Sequence, residues 1–198
     1  MNKRYFALIT ILIAMIAILV GLYESDLLSP KTDFDNKFMS GTIHGDVVLN
    51  KNSHRHNDWW ETYVDKANNI SYTFFILENG TLLMEIFKYS GFQTVESKTY
   101  NNVKWHIYFL KTQRSSTTFN NENSTIFETP IFYYNYICAS KQNGTYYFIF
   151  IFSPKVLGNE SLNSDLFSNY VEPLLKTIKI KNIDNAPTFQ ELFKSTTI

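Results

Sequence analysis

Three of the four histidines of this chain, His44, His54 and His56, fall within fifteen positions that also hold Asp46 and Asp58. In an extended strand, His54 and His56 point to the same side. Two imidazoles and the Asp58 carboxylate could then serve Zn²⁺ or Cu²⁺, the ligand types those metals accept. No helical HExxH and no cysteine partner reinforces the cluster. A solvated polar loop between Val47-Val48-Leu49 and Trp59-Trp60 accounts for the same residues and is the preferred expectation.

Beside that loop, Trp59, Trp60 and Tyr63 form an aromatic patch. Neighbours in a strand face opposite ways, so one tryptophan at most is available to stack on a partner while the other enters the core. Cys138, the only cysteine, lies in the apolar run FYYNYICAS and reads as a small buried hydrophobe. One cysteine excludes an intramolecular disulfide. Asn-x-Ser/Thr sequons occur at Asn69, Asn79, Asn123, Asn143 and Asn159. Asn79 and Asn143 each precede glycine and are explained by turn chemistry, which leaves Asn69, Asn123 and Asn159 as glycan acceptors where a host supplies the enzymes.

These residues need positioning, and the first constraint is at the N-terminus. Tyr5 to Tyr23 is an uncharged stretch interrupted only by Thr10. As a helix it reaches roughly 28 Å, close to the hydrocarbon thickness of a bilayer. Lys3 and Arg4 precede it and Glu24 and Asp26 follow, so the positive-inside bias keeps residues 1–4 in the cytoplasm and sends the rest outside. An uncleaved signal anchor over 5–23 is expected rather than a cleaved signal peptide, because the apolar run is long and lacks a small-x-small site. The expected location is the cell membrane, single-pass, with the C-terminal domain extracytoplasmic.

Residues 24–37 then read as a tether, 38–182 as one α+β domain, and 183–198 as a tail. Ile70–Leu77 and Thr81–Tyr89 flank Glu78-Asn79-Gly80 and read as a hairpin. Gln93–Tyr100 and Val103–Leu110 flank Asn101-Asn102, and Ile131–Ser140 and Thr145–Phe152 flank Asn143-Gly144, in the same manner. The polar segment Thr112–Thr129 reads as a long loop. Phe148–Ile151 has no polar residue and is expected at the centre of the sheet, covered on both faces. Leu166, Phe167, Tyr170, Val171, Leu174 and Leu175 recur at helical spacing, with Pro173 expected to kink or restart that helix. Thr177–Lys181 alternates as a last strand, and Phe189–Phe193 forms one amphipathic turn. The fold class is therefore an antiparallel β-meander with a C-terminal helix packed on it.

Glu96-Ser97-Lys98-Thr99-Tyr100 with Asn102-Val103-Lys104-Trp105, then Asn143-Gly144-Thr145-Tyr146-Tyr147, then Tyr170 through Lys181, stand in an order that resembles the Mog1/PsbP-like α/β/α sandwich domains of small membrane-anchored or exported archaeal and bacterial proteins. The resemblance covers residues 38–182 and implies a fold rather than an activity.

Eighteen basic and eighteen acidic side chains balance, and only three are arginine (Arg4, Arg55, Arg114), which argues against a nucleic-acid partner. No cofactor motif occurs. A non-enzymatic binding or scaffolding module facing a surface or envelope protein is the expected function. An anchored metal-dependent hydrolase using His44, His54, His56 and Asp58 is the alternative.

Overall fold

A computed structural model describes residues 30–51, 58–120, 125–155 and 166–194. The anchor expected over 5–23 lies outside them, and among the described residues no helix is long and apolar enough to cross a membrane. The centre of the domain is a seven-stranded antiparallel sheet in the order β3-β4-β5-β9-β8-β7-β6. Its strands are β3 (Val47–Leu49), β4 (Trp60–Asp65), β5 (Ile70–Leu77), β6 (Gln93–Tyr100), β7 (Val103–Asn120), β8 (Thr125–Gln142) and β9 (Thr145–Lys155). A smaller sheet joins β1 (Lys31–Asp35), β2 (Met39–His44) and the two-residue β10 (Lys179–Ile180).

Side-chain alternation divides the core in two. Ile149 and Ile151 of β9, Phe74 of β5, and Trp105 and Ile107 of β7 face one way. They meet Phe38, which precedes β2, Met39 and Ile43 of β2, and Val171, Leu174 and Leu175 of the C-terminal helix. Phe148 of β9, Phe75 of β5 and Ile137 of β8 face the other way, against Leu83, Phe87 and Leu192. Phe148 and Ile149 are fully buried on opposite faces, as their uniformly apolar strand predicts. Phe150 departs from that expectation: it is half-buried, at the rim of the second cluster.

Two hairpins form where two-residue turns predict them. Asn101 and Asn102 (φ 49° and 62°) join β6 to β7, and Asn143 and Gly144 (φ 49° and 88°) join β8 to β9. These are the left-handed conformations that Asn and Gly tolerate best.

The third expected hairpin is not there. Thr81–Tyr89 is a helix, α1, and β5 pairs with β9, Leu77 opposite Tyr146. A run of Leu, Met, Ile and Phe carries no clear period, and its Leu, Met, Glu and Lys are good helix formers. The Asn79 side chain accepts from the Thr81 N–H at 3.1 Å, and Met84 N–H bonds the Gly80 carbonyl, so the Asn-Gly pair starts a helix instead of turning a hairpin. A Cβ on Gly80 would come within 2.7 Å of both Tyr146 Cγ and Phe148 Cζ, so the close approach of this junction to β9 requires glycine.

A second correction concerns Thr112–Thr129. Instead of a loop, β7 and β8 continue in register from Thr112 opposite Tyr133 to Asn120 opposite Thr125. Polarity concealed this because Ser, Thr and Asn dominate the segment, whereas β-branched Thr suits an extended backbone. The last strand is also shorter than Thr177–Lys181. Lys179 and Ile180 pair with β2 rather than with the large sheet, and Thr177 ends a helix.

That helix behaves as Pro173 requires. Phe167–Val171 forms a π-helical turn in which Glu172 N–H bonds the Phe167 carbonyl, and α2 (Glu172–Thr177) restarts with the proline in its first turn, where no N–H is needed. Residues 31–35, read as tether, form β1. Residues 183–194, read as tail, pack on the domain: Ala186 and Leu192 are buried, Glu78 N–H bonds the Pro187 carbonyl at 2.9 Å, and α3 (Phe189–Lys194) follows.

Candidate functional site

Among the described residues, the C-terminal segment borders two concave surfaces. One cleft, about 750 Å³, runs between the start of β4 and the segment 185–192, with Asp58, Trp59, Glu78, Pro187 and Glu191 on its walls. A second, about 780 Å³, lies on the other side of residues 183–186, against the β8–β9 turn, and brings in Asn79, Lys141, Asn143, Tyr146 and Asp184. The two adjoin through Glu78, Asn185 and Ala186, which line both.

Each wall has a local cause. Thr188 and Glu191 form a capping box: Glu191 Oε2 accepts from Thr188 N–H (2.8 Å), and Thr188 Oγ1 accepts from Glu191 N–H (3.3 Å). This starts α3 and turns Leu192 into the second core cluster. At the opposite wall, the Lys37 ammonium lies 3.5 Å above the Trp59 ring and 3.7 Å from Asp58. Lys141 stands over the Tyr146 ring at 5.1 Å. Four carboxylates, Asp58, Glu78, Asp184 and Glu191, thus border the clefts, against the single amine of Lys141 in their lining.

Of the aromatic patch expected at the start of β4, only Trp59 lines a cleft. Trp60 stacks on Phe75 (centroids 4.6 Å apart) in the second core cluster, while Tyr63 packs edge-on against Phe74 in the first and donates its hydroxyl to Glu61 at 2.9 Å. All three are half-buried.

Of the histidine cluster, His54 and His56 lie outside the described residues. His44 ends β2, and Asp46 and Asp58 are exposed. Among the described residues no group of three or more His, Cys, Asp or Glu side chains could hold a metal ion. Cys138 is fully buried, and burial pushes its thiol well above the ordinary range, so it is held as an inert thiol. Asn69 is exposed at the β4–β5 turn with φ 55°. Asn143 donates to Asn182 Oδ1 at 3.3 Å. Asn123 and Asn159 lie outside the described residues.

Sequence reasoning missed Glu78, Asp184, Asn185 and Pro187. The Thr188-x-x-Glu191 capping box, with the amphipathic turn Phe189–Phe193, signals that the tail is ordered.

A seven-stranded antiparallel sheet with helices on both faces and a small flanking sheet defines a Mog1-like α+β fold. No family model matches the chain, and no curated protein matches it. Among solved structures it is similar to the Ran-binding protein Mog1p of Saccharomyces cerevisiae, with TM-score 0.50 and 8% identity over 77% of this chain and 96% of that one. A Mog1 point mutant gives TM-score 0.48 at 8% identity, over 76% of this chain and 96% of that one. A protein from Bacteroides thetaiotaomicron gives 0.46 at 8% identity, over 78% and 49%. At such identity the likeness concerns the fold.

Proposed function

We propose that this chain is a membrane-tethered extracytoplasmic protein whose domain is a non-enzymatic binding module, and that its partner is a protein engaged along residues 183–192. The tether rests on the uncharged Tyr5–Tyr23 stretch and the charges flanking it. The binding role rests above all on the paired clefts that share Glu78, Asn185 and Ala186. Their walls carry carboxylates, side-chain amides and the rings of Trp59 and Tyr146, a lining suited to recognition. The Thr188 hydroxyl in the first cleft donates to Glu191 Oε2 at 2.9 Å, but both groups are committed to the capping box of α3.

The name Ran-binding protein, carried by the similarly folded Mog1p, makes a protein partner the natural choice. Four carboxylates against two amines, Lys141 and the Lys37 beside Asp58, favour a partner segment rich in Lys or Arg, which would associate less readily as salt rises.

The test places a photo-crosslinking amino acid at Trp59 or Asn185 of the full-length protein in its native cells. One discrete protein adduct is expected from both positions, and it should fade when Glu78 and Glu191 are reversed to Lys. Adduct formation from Ser168, on the opposite face, equal to that from the clefts would overturn the assignment. Carbonate extraction and protease treatment of intact, wall-stripped cells test the tether separately: an extractable or protected domain would refute it.

A further inference from the structure

Helix α1 turns Leu83 and Phe87 into the core, yet its outer side is apolar as well. Leu82 is 53% exposed, Ile86 40% and Tyr89 89%. The spacing 82, 86, 89 places the three in one narrow sector of the helix, a continuous stripe rather than scattered residues. Glu85 and Lys88, both exposed, lie together on one flank of that stripe, and among the described residues neither side chain has an ionic partner. A single apolar residue on a surface is ordinary, whereas a stripe with charged residues along its border marks an interaction face.

The arrangement of the two charges decides what covers it. When two copies of a helix pack antiparallel about a two-fold axis, each flank lies beside the same flank of the other copy. Ile86 then meets Ile86 of the second copy, Leu82 meets Tyr89, and Glu85 stands opposite Lys88, twice. The stripe is therefore complementary to itself in both apolar contact and charge.

We infer that α1 is the interface through which two copies of this chain pair. The inference rests on the tethered reading in one respect. A stripe of three side chains on a nine-residue helix offers less area than the roughly 1,200 Å² of a stable solution interface. Pairing becomes substantial when both copies are confined to one membrane, which raises their effective concentration. Leu82, Ile86 and Tyr89 line neither cleft, although Thr81 at the start of α1 lines the second.

The test uses the full chain reconstituted in lipid vesicles, with Ile86→Cys as the reporter. Cys138 is buried and silent, so oxidation should give a disulfide-linked dimer through position 86, and Asn69→Cys should not. Adding Glu85→Lys or Lys88→Glu alone should lower dimer yield about tenfold, because like charges now face each other twice. The double exchange Glu85→Lys with Lys88→Glu should restore it, an outcome a different partner surface would not produce. Monomer only, unchanged yield in the single reversals, or no rescue by the exchange would each overturn the pairing. So would bromolipid quenching of a fluorophore attached at Ile86→Cys without crosslinking, which would assign the stripe to the bilayer. Vesicle flotation reports the tether independently: a chain that fails to float refutes the tether, and the same charge-exchange pattern is then read at high protein concentration, where its absence still refutes the pairing.

Discussion

The hydroxyl of Tyr100 donates a 2.9 Å hydrogen bond to Glu172 Oε1, fastening the outermost strand β6 to the first turn of α2. This bond, with Lys176 and Lys98 nearby, holds the Glu172 carboxyl below its ordinary range against the opposing effect of burial. A carboxyl lowered by folding contributes stability that is present above its unfolded value, about 4.3, and is lost as pH falls through the lower folded value. Tyr100→Phe should cost about 1 kcal/mol at neutral pH. The difference from the parent should shrink in urea titrations repeated at progressively lower pH.

At the alkaline end the tyrosines govern. Burial keeps the hydroxyls of Tyr63, Tyr72, Tyr108 and Tyr147 above the ordinary range and pushes Tyr136 up to about 12. Groups raised by folding favour the native state below their unfolded value near 10, and that contribution falls away as pH climbs toward the folded values. The absorbance of these five tyrosinates, among the thirteen tyrosines of the chain, should therefore develop together with loss of the β-sheet circular dichroism above pH 10. Complete titration of the native sheet before any unfolding would contradict the burial described.

Cys138 faces Ile149 across the β8–β9 pair and is inaccessible. Ellman's reagent should leave the native protein unmodified and should label one thiol per chain once denaturant passes the unfolding midpoint.

Phe148 stacks on Phe75 with centroids 4.9 Å apart and is fully buried. Phe148→Ala should cost about 3–5 kcal/mol through lost burial and the cavity left behind, and Phe150→Ala, half-buried, should cost less. Gly80→Ala should also destabilise, since its methyl group meets Tyr146 and Phe148. Chemical denaturation of the three variants checks the order.

The parts of the fold readable from sequence are those where one local rule acts without competition. Asn101-Asn102 and Asn143-Gly144 require left-handed backbone and supply residues that adopt it, and Pro173 dictates its own restart of the helix. Thr81–Tyr89 was misread because a run apolar on nearly every position fits helix and strand alike, and its state is decided by Leu83 and Phe87 docking on β9. The clefts were hidden for a different reason. Glu78, Lys141 and Asp184 are far apart in the chain, and only the packing of residues 183–192 gathers them. Strand alternation foretells that one of Trp59 and Trp60 turns toward the core, whereas the choice of Trp59 as the cleft residue depends on where β4 begins.

The sheet order carries a kinetic consequence. β6 pairs with β7, β7 with β8 and β8 with β9, so each of these closures is short and can occur early. Leu77 meets Tyr146 only after α1 and all of β6, β7 and β8 have been bridged, the costliest loop closure within the seven-stranded sheet. The β8–β9 hairpin should accordingly be formed in the folding transition state, and β5 with β3 and β4 should dock after it. Substitutions at Ile137 would then slow folding, while those at Phe74 would chiefly hasten unfolding.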